Sequence, residues 1–453
     1  MNTYPSVLLD IRSRRAGLQT RVGTAVEPTE TGRLVIEEFG RGWSLPSGGI
    51  DSCSVIEWSV EQVVIRTSRL NPTTLYYWGA PGAGQYLIGT DRAELTARAI
   101  TSVGVEVDQA AQIRRFRRAI HAIAGGRTLV LSRSAGSAGI EVAETVSQSW
   151  TPSPITGETA VEAGTRQIEA LRREVIAAGT PRPVTAVVSG GVDSGLVAAL
   201  AKHAGILDHL ASLGTPWGDE YAAAEELGAH LSMPVRRIAL SENEILRALP
   251  ETVRMLGELN RETVAAGVNL VAVYQQGQLP KGIVLTGVGA DLINSGHRVE
   301  VGPVDDLRSA VADRLAEAAL TTELSGVAAA AHGYVLRHMY WNQTVIQAAI
   351  DTSPEVMRYR DREKGHMRAA AELLLPENIA WRRKQALHHG SGVDKNLDGA
   401  IARYIGRETV DVERFYCLIE AELVGALIAA PDEPIDSDKC LEAAVSAYTG
   451  ENH

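Results

Sequence analysis

Residues 183–205 constrain the fold of this chain more than any other stretch. They begin with a short apolar, mostly β-branched run at residues 184–188, continue through the loop SGGVDS at residues 189–194, and end in an apolar segment rich in helix formers. This succession predicts a buried strand, a tight loop and a helix. We therefore expect an α/β fold in which the loop lies at the carboxyl end of a strand.

The loop at residues 189–194 has the composition of a phosphate-binding site. Gly190 and Gly191 allow a sharp turn and a close approach to a ligand. The hydroxyl groups of Ser189 and Ser194 add donors, and the N-terminus of the following helix favours an anion. Asp193 would repel a bare phosphate, so its carboxylate indicates a bridging cation such as Mg²⁺. We expect Mg-nucleotide or Mg-pyrophosphate here, and a glycine-rich turn without a ligand is the alternative.

The same six-letter pattern occurs a second time, as SGGIDS at residues 47–52. That copy leads into an alternating, strand-like run and no helix follows it, so we interpret it as a β-turn without a phosphate site. Neither copy is a Walker A loop, which needs Gly-Lys-Ser or Gly-Lys-Thr. The pattern therefore indicates a site only where a strand precedes it and a helix follows it.

Composition excludes several classes of protein. The 453 residues suffice for about two or three domains, and the net charge of −11 offers no basic surface for nucleic acid. The one dense basic cluster, residues 114–118, fits a solvated helix face or an interdomain salt-bridge patch better than a binding site. Three separated cysteines indicate neither zinc nor disulfides, and no long apolar run or signal-like segment occurs. We expect a soluble cytoplasmic protein.

The pattern of hydrophobic residues changes in the middle of the chain. Residues 1–150 alternate short β-branched runs with turns, which predicts an α+β domain with a mainly antiparallel sheet. The segment TPSPITG at residues 151–157 reads as a linker. Residues 158–453 begin with alternating helices and buried strands, which predicts a doubly wound parallel sheet, and are nearly all helical after about residue 305. Such sheets bind ligands at the carboxyl ends of their strands.

A second glycine-rich strand exit, TGVGAD at residues 286–291, carries a carboxylate at Asp291. Alone, this segment fits an ordinary turn capped by an aspartate as well as it fits a ligand site. Together with SGGVDS, it resembles the synthetase domain of the asparagine synthetase family of ATP pyrophosphatases. Residues 381–392, WRRKQALHHGSG, are similar to the lysine and His-x-Gly-Ser of its β-lactam and carbapenam synthetase branch rather than to the Arg-x-Lys-x-Gly-Phe of asparagine synthetases.

The resemblance implies roles for individual residues. It implies a pyrophosphate cradle formed by Ser189, Gly190, Gly191 and Ser194, and Mg²⁺ ligands at Asp193 and Asp291. It also implies nucleotide contacts at Leu213, Gly214 and Gly287, a phosphate-binding lysine at Lys364 and a catalytic lysine at Lys384. A fixed cation such as Lys384 stabilises the negative charge that develops in acyl transfer, worth about 3–4 kcal/mol. A solvated charged turn is the other interpretation of the Arg-Arg-Lys run.

The resemblance also implies an activity. A carboxylate and ATP would form an acyl-adenylate and pyrophosphate, and an amine would then displace AMP to form an amide or lactam, as in the biosynthesis of β-lactam-like antibiotics. The expected partner is a small amino or carboxylic acid, and a homodimer is expected, without nucleic acid or membrane. The alternatives are an intermolecular ligase that joins a carboxylate to a separate amine or ammonia, a tRNA-modifying adenylating enzyme, and a nucleotide-binding scaffold without catalysis.

Two positions depart from the family pattern. The family's amidotransferases carry a catalytic cysteine after the initiator methionine, where this chain has Asn2, so its N-terminal domain should be a vestigial Ntn-hydrolase-like sandwich without glutaminase activity. The β-lactam branch pairs a tyrosine with a glutamate to deprotonate the amine, but Val288 lies in the strand exit and cannot move a proton. Glu323 matches the glutamate, although a surface helix glutamate is as good an interpretation. Glu323 would act alone, Tyr334 or Tyr340 would supply the tyrosine, or the amine would need no base.

Overall fold

The computed structural model describes most of the chain. The described residues are 7–12, 15–20, 32–36, 53–59, 62–71, 73–80, 85–104, 110–133, 140–147, 149–153, 155–257, 259–294, 311, 314–315, 318, 320, 322, 324–383 and 387–450. The predicted turn at residues 47–52, as well as Asn2, lies outside them, so both predictions stay predictions.

The first part of the chain forms two antiparallel sheets of five strands each. One has the strand order β2-β1-β7-β6-β8 and the other β10-β9-β5-β4-β3. Their strands are β1 (Val7–Arg12), β2 (Arg15–Thr20), β3 (Gly32–Ile36), β4 (Ser54–Trp58), β5 (Gln62–Arg66), β6 (Leu75–Ala80), β7 (Gln85–Gly89), β8 (His121–Ile123), β9 (Arg127–Arg133) and β10 (Ile140–Val146). Two helices, α1 (Arg92–Val103) and α2 (Ala110–Arg118), lie between β7 and β8 in sequence.

The two sheets stack face to face. Their shared core contains Ile56 and Ile65 from one sheet and Tyr86 and Ile88 from the other, all at most 3% exposed. The opposite face of the sheet that contains β1, β6 and β7 is covered by α1. The antiparallel α+β prediction is therefore confirmed, and the two stacked sheets agree with the predicted sandwich, whose Ntn-hydrolase type stays a prediction.

A mostly parallel sheet forms the centre of the second part, in the order β13-β12-β11-β15-β16 with β14 also paired to β12. The elements up to β15 are α3 (Ala160–Ala177), β11 (Val184–Val187), α4 (Val192–His203), β12 (His209–Thr215), β13 (Gly218–Asp219), α5 (Tyr221–His230), β14 (Val235–Ala239), α6 (Glu242–Arg247), α7 (Leu249–Met255), α8 (Arg261–Gln276) and β15 (Ile283–Thr286). Separate apolar cores lie on the two faces, so the doubly wound prediction is confirmed.

The chain beyond β15 is mainly helical but contributes one more strand. Its elements are α9 (Ala290–Ile293), α10 (Val327–Ala331), β16 (Val335–His338), α11 (Gln343–Ile350), α12 (Pro354–Met357), a 3-10 turn (Tyr359–Asp361), α13 (Gly365–Ala371), α14 (Glu377–Ala380), α15 (Leu387–Gly390), α16 (Val393–Tyr404), α17 (Val412–Ala429) and α18 (Ser437–Gly450). β16 pairs in parallel with β15. The prediction of a nearly all-helical end missed it, because four residues that include Arg337 and His338 lack an apolar strand pattern.

Helices α1 and α2 of the first part pack on α17 of the second, through residues such as Ala97, Ile113 and Val424. Arg117 in α2 forms an ion pair with Glu420 in α17 at 2.6 Å, so this residue of the basic cluster takes part in a salt bridge between the first and second parts of the chain. Described residues between β10 and α3 form no helix or strand, but the division into domains 1–150 and 158–453 stays a prediction. Within the described part of the chain, no helix is long and apolar enough to cross a membrane.

Candidate active site

The loop at residues 189–194 joins the carboxyl end of β11 to the N-terminus of the 12-residue helix α4. Gly190 has a left-handed φ of 73°, and a Cβ there would overlap the backbone carbonyl of Ala223. The Ser189 backbone N–H donates to the Ser194 hydroxyl at 3.2 Å, and the two hydroxyl oxygens are also 3.2 Å apart. The serines therefore brace the loop, and position 190 requires glycine.

The predicted second segment, residues 286–291, lies directly beside this loop, because β15 and β11 are parallel neighbours in the sheet. A Cβ at Gly287 would be 2.7 Å from the backbone nitrogen of Ser194 and 2.9 Å from the carbonyl carbon of Asp193. A real Cβ essentially never comes so close to backbone atoms. Glycine at position 287 thus lets the two loops touch, although they are about a hundred residues apart in sequence.

Asp193 and Asp291 converge on one cation, the ammonium group of Lys364. Its Nζ is 2.5 Å from Asp193 Oδ2 and 2.5 Å from Asp291 Oδ1. The Lys364 side chain is 1% exposed, and the residue has a left-handed φ of 57° at the N-cap of α13. Burial lowers the pKa of Lys364, whereas the Asp193 carboxylate acts against this shift by stabilising the ammonium form. The structure therefore brings together the two predicted metal ligands and the predicted phosphate-binding lysine.

Two arginines that the sequence did not suggest hold the loop and its surroundings. Arg382 donates to the backbone carbonyl of Gly190 at 2.7 Å and forms an ion pair with Glu226 of α5. Arg368, which is 2% exposed, donates to the carbonyls of Ala380 and Arg382 at 2.9 Å each. The sequence signal that could have indicated Arg382 was the basic run at residues 382–384, in which the sequence pattern singled out only Lys384.

The tyrosine alternatives occupy different places. The Tyr340 hydroxyl donates to the Asp193 backbone carbonyl at 3.4 Å, so this ring lies at the loop, and burial raises the pKa of Tyr340 well above its usual value. The Tyr334 hydroxyl donates instead to the Leu279 carbonyl at 3.1 Å. Val288 is 36% exposed. Tyr340 is near the loop but is fixed in its protonated form at neutral pH, which does not suit a general base.

The predicted nucleotide contacts at Leu213 and Gly214 lie near the carboxyl end of β12, at the same edge of the sheet. The Leu213 side chain is 5% exposed and packs in the core. The Gly214 carbonyl accepts from the Leu240 N–H at 2.9 Å, and a Cβ at Gly214 would overlap the Tyr221 hydroxyl. The structure therefore places both residues at the expected edge, with the Leu213 side chain directed into the core.

The His-x-Gly-Ser part of the predicted signature docks beside this strand end. Ser391 is 2% exposed, its hydroxyl accepts from Asn269 at 2.9 Å, and its carbonyl accepts from the Thr215 hydroxyl at 2.6 Å. His389 Nδ1 is 2.6 Å from Asp394 Oδ2. The motif is thus tied to the end of β12, which carries the predicted nucleotide contacts. The predicted catalytic residues Lys384 and Glu323 lie outside the described residues.

The chain belongs to the asparagine synthase family, whose model matches residues 169–309 and 302–445. These matched segments hold both glycine-rich strand exits as well as Lys364 and the His-x-Gly-Ser motif. The predicted membership is therefore confirmed.

Individual relatives agree with the family. Carboxyethyl-arginine beta-lactam-synthase of Streptomyces clavuligerus is 28% identical over 347 residues, which cover 74% of this chain and 64% of that protein. The glutamine-hydrolysing asparagine synthetases of Homo sapiens and Rattus norvegicus are each 25% identical over 231 residues, which cover 48% of this chain and 41% of those proteins. The chain thus spans less than two thirds of the length of these relatives.

Proposed function

We propose that this protein is an ATP-dependent ligase that forms an amide or lactam through an acyl-adenylate, with release of AMP and pyrophosphate. The observation that carries the proposal is the convergence of the loop at residues 189–194, Gly287, and the carboxylates of Asp193 and Asp291 at the carboxyl edge of one parallel sheet. Backbone N–H groups at a helix N-terminus bind phosphate, and the carboxylates suit the cation that accompanies it.

The donor set fits a magnesium ion. Asp193 and Asp291 each place a carboxylate oxygen 2.5 Å from the ammonium group of Lys364, so both can bind one cation. Mg²⁺ commonly takes one or two carboxylates plus phosphate oxygens. No group of three or more histidine, cysteine, aspartate or glutamate side chains that could hold a metal occurs among the described residues, so the nucleotide would complete the coordination. Mg²⁺ held by these two carboxylates would neutralise charge on the pyrophosphate.

The chain's own residues would divide the chemistry between two steps. In the first step, the substrate carboxylate attacks the α-phosphorus and pyrophosphate leaves into the loop, where Lys364 would bind it. In the second step, the amine attacks the acyl carbon, AMP leaves with the former carboxylate oxygen, and the amine loses a proton. We assign that proton to Glu323, and charge stabilisation in both steps to Lys384.

The substrate proposal follows the β-lactam branch. The Streptomyces relative is named for carboxyethyl-arginine and a β-lactam product, so we propose a small amino acid that carries a second carboxylate, in a natural-product pathway. The stacked antiparallel sheets of the first part are proposed to be an Ntn-hydrolase-like domain without glutaminase activity. We further propose a homodimer that acts without nucleic acid.

Exchange of labelled pyrophosphate into ATP tests this proposal. The purified chain is assayed with Mg²⁺ and a panel of carboxylates that includes carboxyethyl-arginine and aspartate. At least one carboxylate should support exchange, and Asp193→Asn should lower the rate by at least about 100-fold. The matched control is Asp208→Asn at the other end of the same strands, where Asp208 accepts from the Val184 N–H at 2.8 Å. Absence of exchange with the whole panel, or equal losses in both variants, would contradict the proposal.

An intermolecular reaction is the second candidate, and Val288 favours it. Valine cannot share the amine's proton, whereas ammonia or another external amine can arrive unprotonated. Mass spectrometry of products from reactions with and without added ammonium or amines decides between them. A product that forms at one substrate mass minus water indicates a lactam, and a product that requires the added amine indicates intermolecular ligation.

A further inference from the structure

The guanidinium group of Arg382 holds the loop at residues 189–194 from one side. Its Nη1 donates to the Gly190 carbonyl at 2.7 Å and to the Ala223 carbonyl at 3.3 Å, while its Nη2 forms an ion pair with Glu226. Ala223 and Glu226 both belong to α5, and a Cβ at Gly190 would lie only 2.3 Å from the Ala223 carbonyl oxygen. Helix α5 and Arg382 therefore close this side of the loop together.

The peptide unit between Gly190 and Gly191 connects this side of the loop to the opposite one. A trans peptide is planar, so its C=O and N–H groups point in opposite directions. Because Arg382 holds the Gly190 carbonyl, the Gly191 N–H points away from the guanidinium, towards the Ser189 hydroxyl oxygen, which it reaches only at 3.4 Å. Gly191 is also the N-cap of α4, where no side chain caps the helix. The Gly191 N–H and the first turn of α4 are thus oriented for an anion.

The backbone that carries Arg382 is itself fixed by a second arginine. Arg368 is 2% exposed and donates to the carbonyls of Ala380 and Arg382 at 2.9 Å each and to the Glu363 carbonyl at 2.9 Å. Arg368 lies in α13, one turn beyond Lys364 at the N-cap of the same helix. One helix therefore presents Lys364 to the site and anchors the segment from which Arg382 reaches the loop.

We propose that Arg382 is a positioning residue for pyrophosphate binding. In this inference, which rests on the proposed function, the guanidinium fixes the peptide between Gly190 and Gly191 so that its N–H is directed at a phosphate oxygen before the nucleotide arrives. Glu226 in turn orients Arg382. The arginine acts through the Gly190 carbonyl rather than by touching the phosphate, and its benefit is that binding does not have to turn the peptide. A lysine ammonium lacks the rigid fork that donates in two fixed directions.

Titration calorimetry with Mg-pyrophosphate tests this inference without turnover. Arg382→Met should weaken binding by about 10- to 100-fold, since a misplacement of about 1 Å costs on that order. The matched control is Arg166→Met, because Arg166 is 26% exposed where Arg382 is 24% exposed, donates to the Ala348 carbonyl at 2.8 Å and pairs with Glu158 at 2.9 Å. The control should bind within about 2-fold of wild type. In pyrophosphate exchange, Arg382→Met should raise the KM for pyrophosphate and leave kcat within about 3-fold, as expected for lost binding.

Two further variants separate positioning from a general structural role. Added ethylguanidinium should restore most of the pyrophosphate affinity of Arg382→Ala and leave that of wild type unchanged, whereas Arg382→Lys should stay weak. Glu226→Gln changes a side chain that is 43% exposed and should weaken binding by about 3- to 10-fold in the wild-type background. The same change should have no effect in Arg382→Met, because Glu226 acts only through the arginine.

The outcomes distinguish this inference from the ligase proposal. Unchanged pyrophosphate affinity in Arg382→Met, an equal loss in Arg166→Met, no rescue by ethylguanidinium, or additive losses with Glu226→Gln would each overturn the inference and leave the ligase proposal intact. Should Arg382→Met not fold, unchanged affinity in Glu226→Gln would overturn it. Absence of both Mg-pyrophosphate binding and exchange in the wild type would instead overturn the ligase proposal and the inference with it.

Discussion

Replacing Lys364 by methionine removes the cation between two carboxylates and gives the sharpest stability prediction. Nζ is 2.5 Å from an oxygen of Asp193 and 2.5 Å from an oxygen of Asp291, so these two oxygens are at most about 5 Å apart. Two like charges at about 5 Å repel by about 3 kcal/mol at an effective dielectric constant of about 20.

The expected loss in unfolding free energy follows from this geometry. Breaking a buried ion pair costs about 3–5 kcal/mol, and we expect the lower end, about 3 kcal/mol, because water screens two carboxylates that are 17% and 21% exposed. Urea denaturation of wild type and Lys364→Met measures the loss. Lys281→Met is the control, since Lys281 is exposed, donates to the His332 carbonyl at 2.7 Å and lies 3.9 Å from the centroid of the Tyr334 ring; its loss should stay below about 1 kcal/mol.

Magnesium should distinguish the two proteins further. In the absence of nucleotide, Mg²⁺ should restore about 1 kcal/mol or more to Lys364→Met, because the ion replaces the missing ammonium, as expected for a ligand at about tenfold its Kd. Wild type should respond little, since Lys364 occupies the position between the carboxylates. A loss below 1 kcal/mol, or equal stabilisation of both proteins by Mg²⁺, would refute this reasoning.

Three further predictions concern the loop contact, an interdomain pair and acid stability. Gly287→Ala should weaken ATP binding at least about tenfold in calorimetry, because its Cβ would meet loop backbone at 2.7 Å, whereas Gly425→Ala, with open space around it, should bind normally. Arg254→Met removes the 2.6 Å ion pair between Arg254 and Asp91, whose side chains are 7% and 1% exposed. The free energy of unfolding, measured by urea denaturation, should fall by about 3–5 kcal/mol. Burial lowers the pKa of His366 from 6.5 to about 3, so the unfolded chain binds a proton that the folded one does not. Stability should therefore fall by about 1.4 kcal/mol per pH unit from about pH 6.5 towards 3, and His366→Asn should lose this component of the slope.

The sequence predicted the elements of the site whose signal is local. A strand, a glycine-rich loop and a helix follow each other at residues 184–203, and the structure has all three with nearly the expected bounds. The pairing of this loop with residues 286–291 was also predicted, because parallel strands end at one edge of a sheet. The contact at Gly287 is the reason that the pairing is close.

Other features could not be predicted, because they depend on contacts between distant residues. Lys364 lies between Asp193 and Asp291 only through the packing of α13, and Arg382 reaches the Gly190 carbonyl from 192 residues away in sequence. The strand β16 is four residues long, and only Val335 and Leu336 in it are apolar, which is too short a run to indicate a strand.

The transfer of oxygen from the substrate to AMP tests the central claim most directly. Turnover with a carboxylate labelled with ¹⁸O in both oxygens should give AMP that carries one ¹⁸O, because the carboxylate oxygen that attacks the α-phosphorus leaves with AMP when the amine displaces it. Mass spectrometry of the nucleotide product measures the label. Unlabelled AMP, or ADP and phosphate as the products, would contradict an acyl-adenylate formed at the loop of residues 189–194.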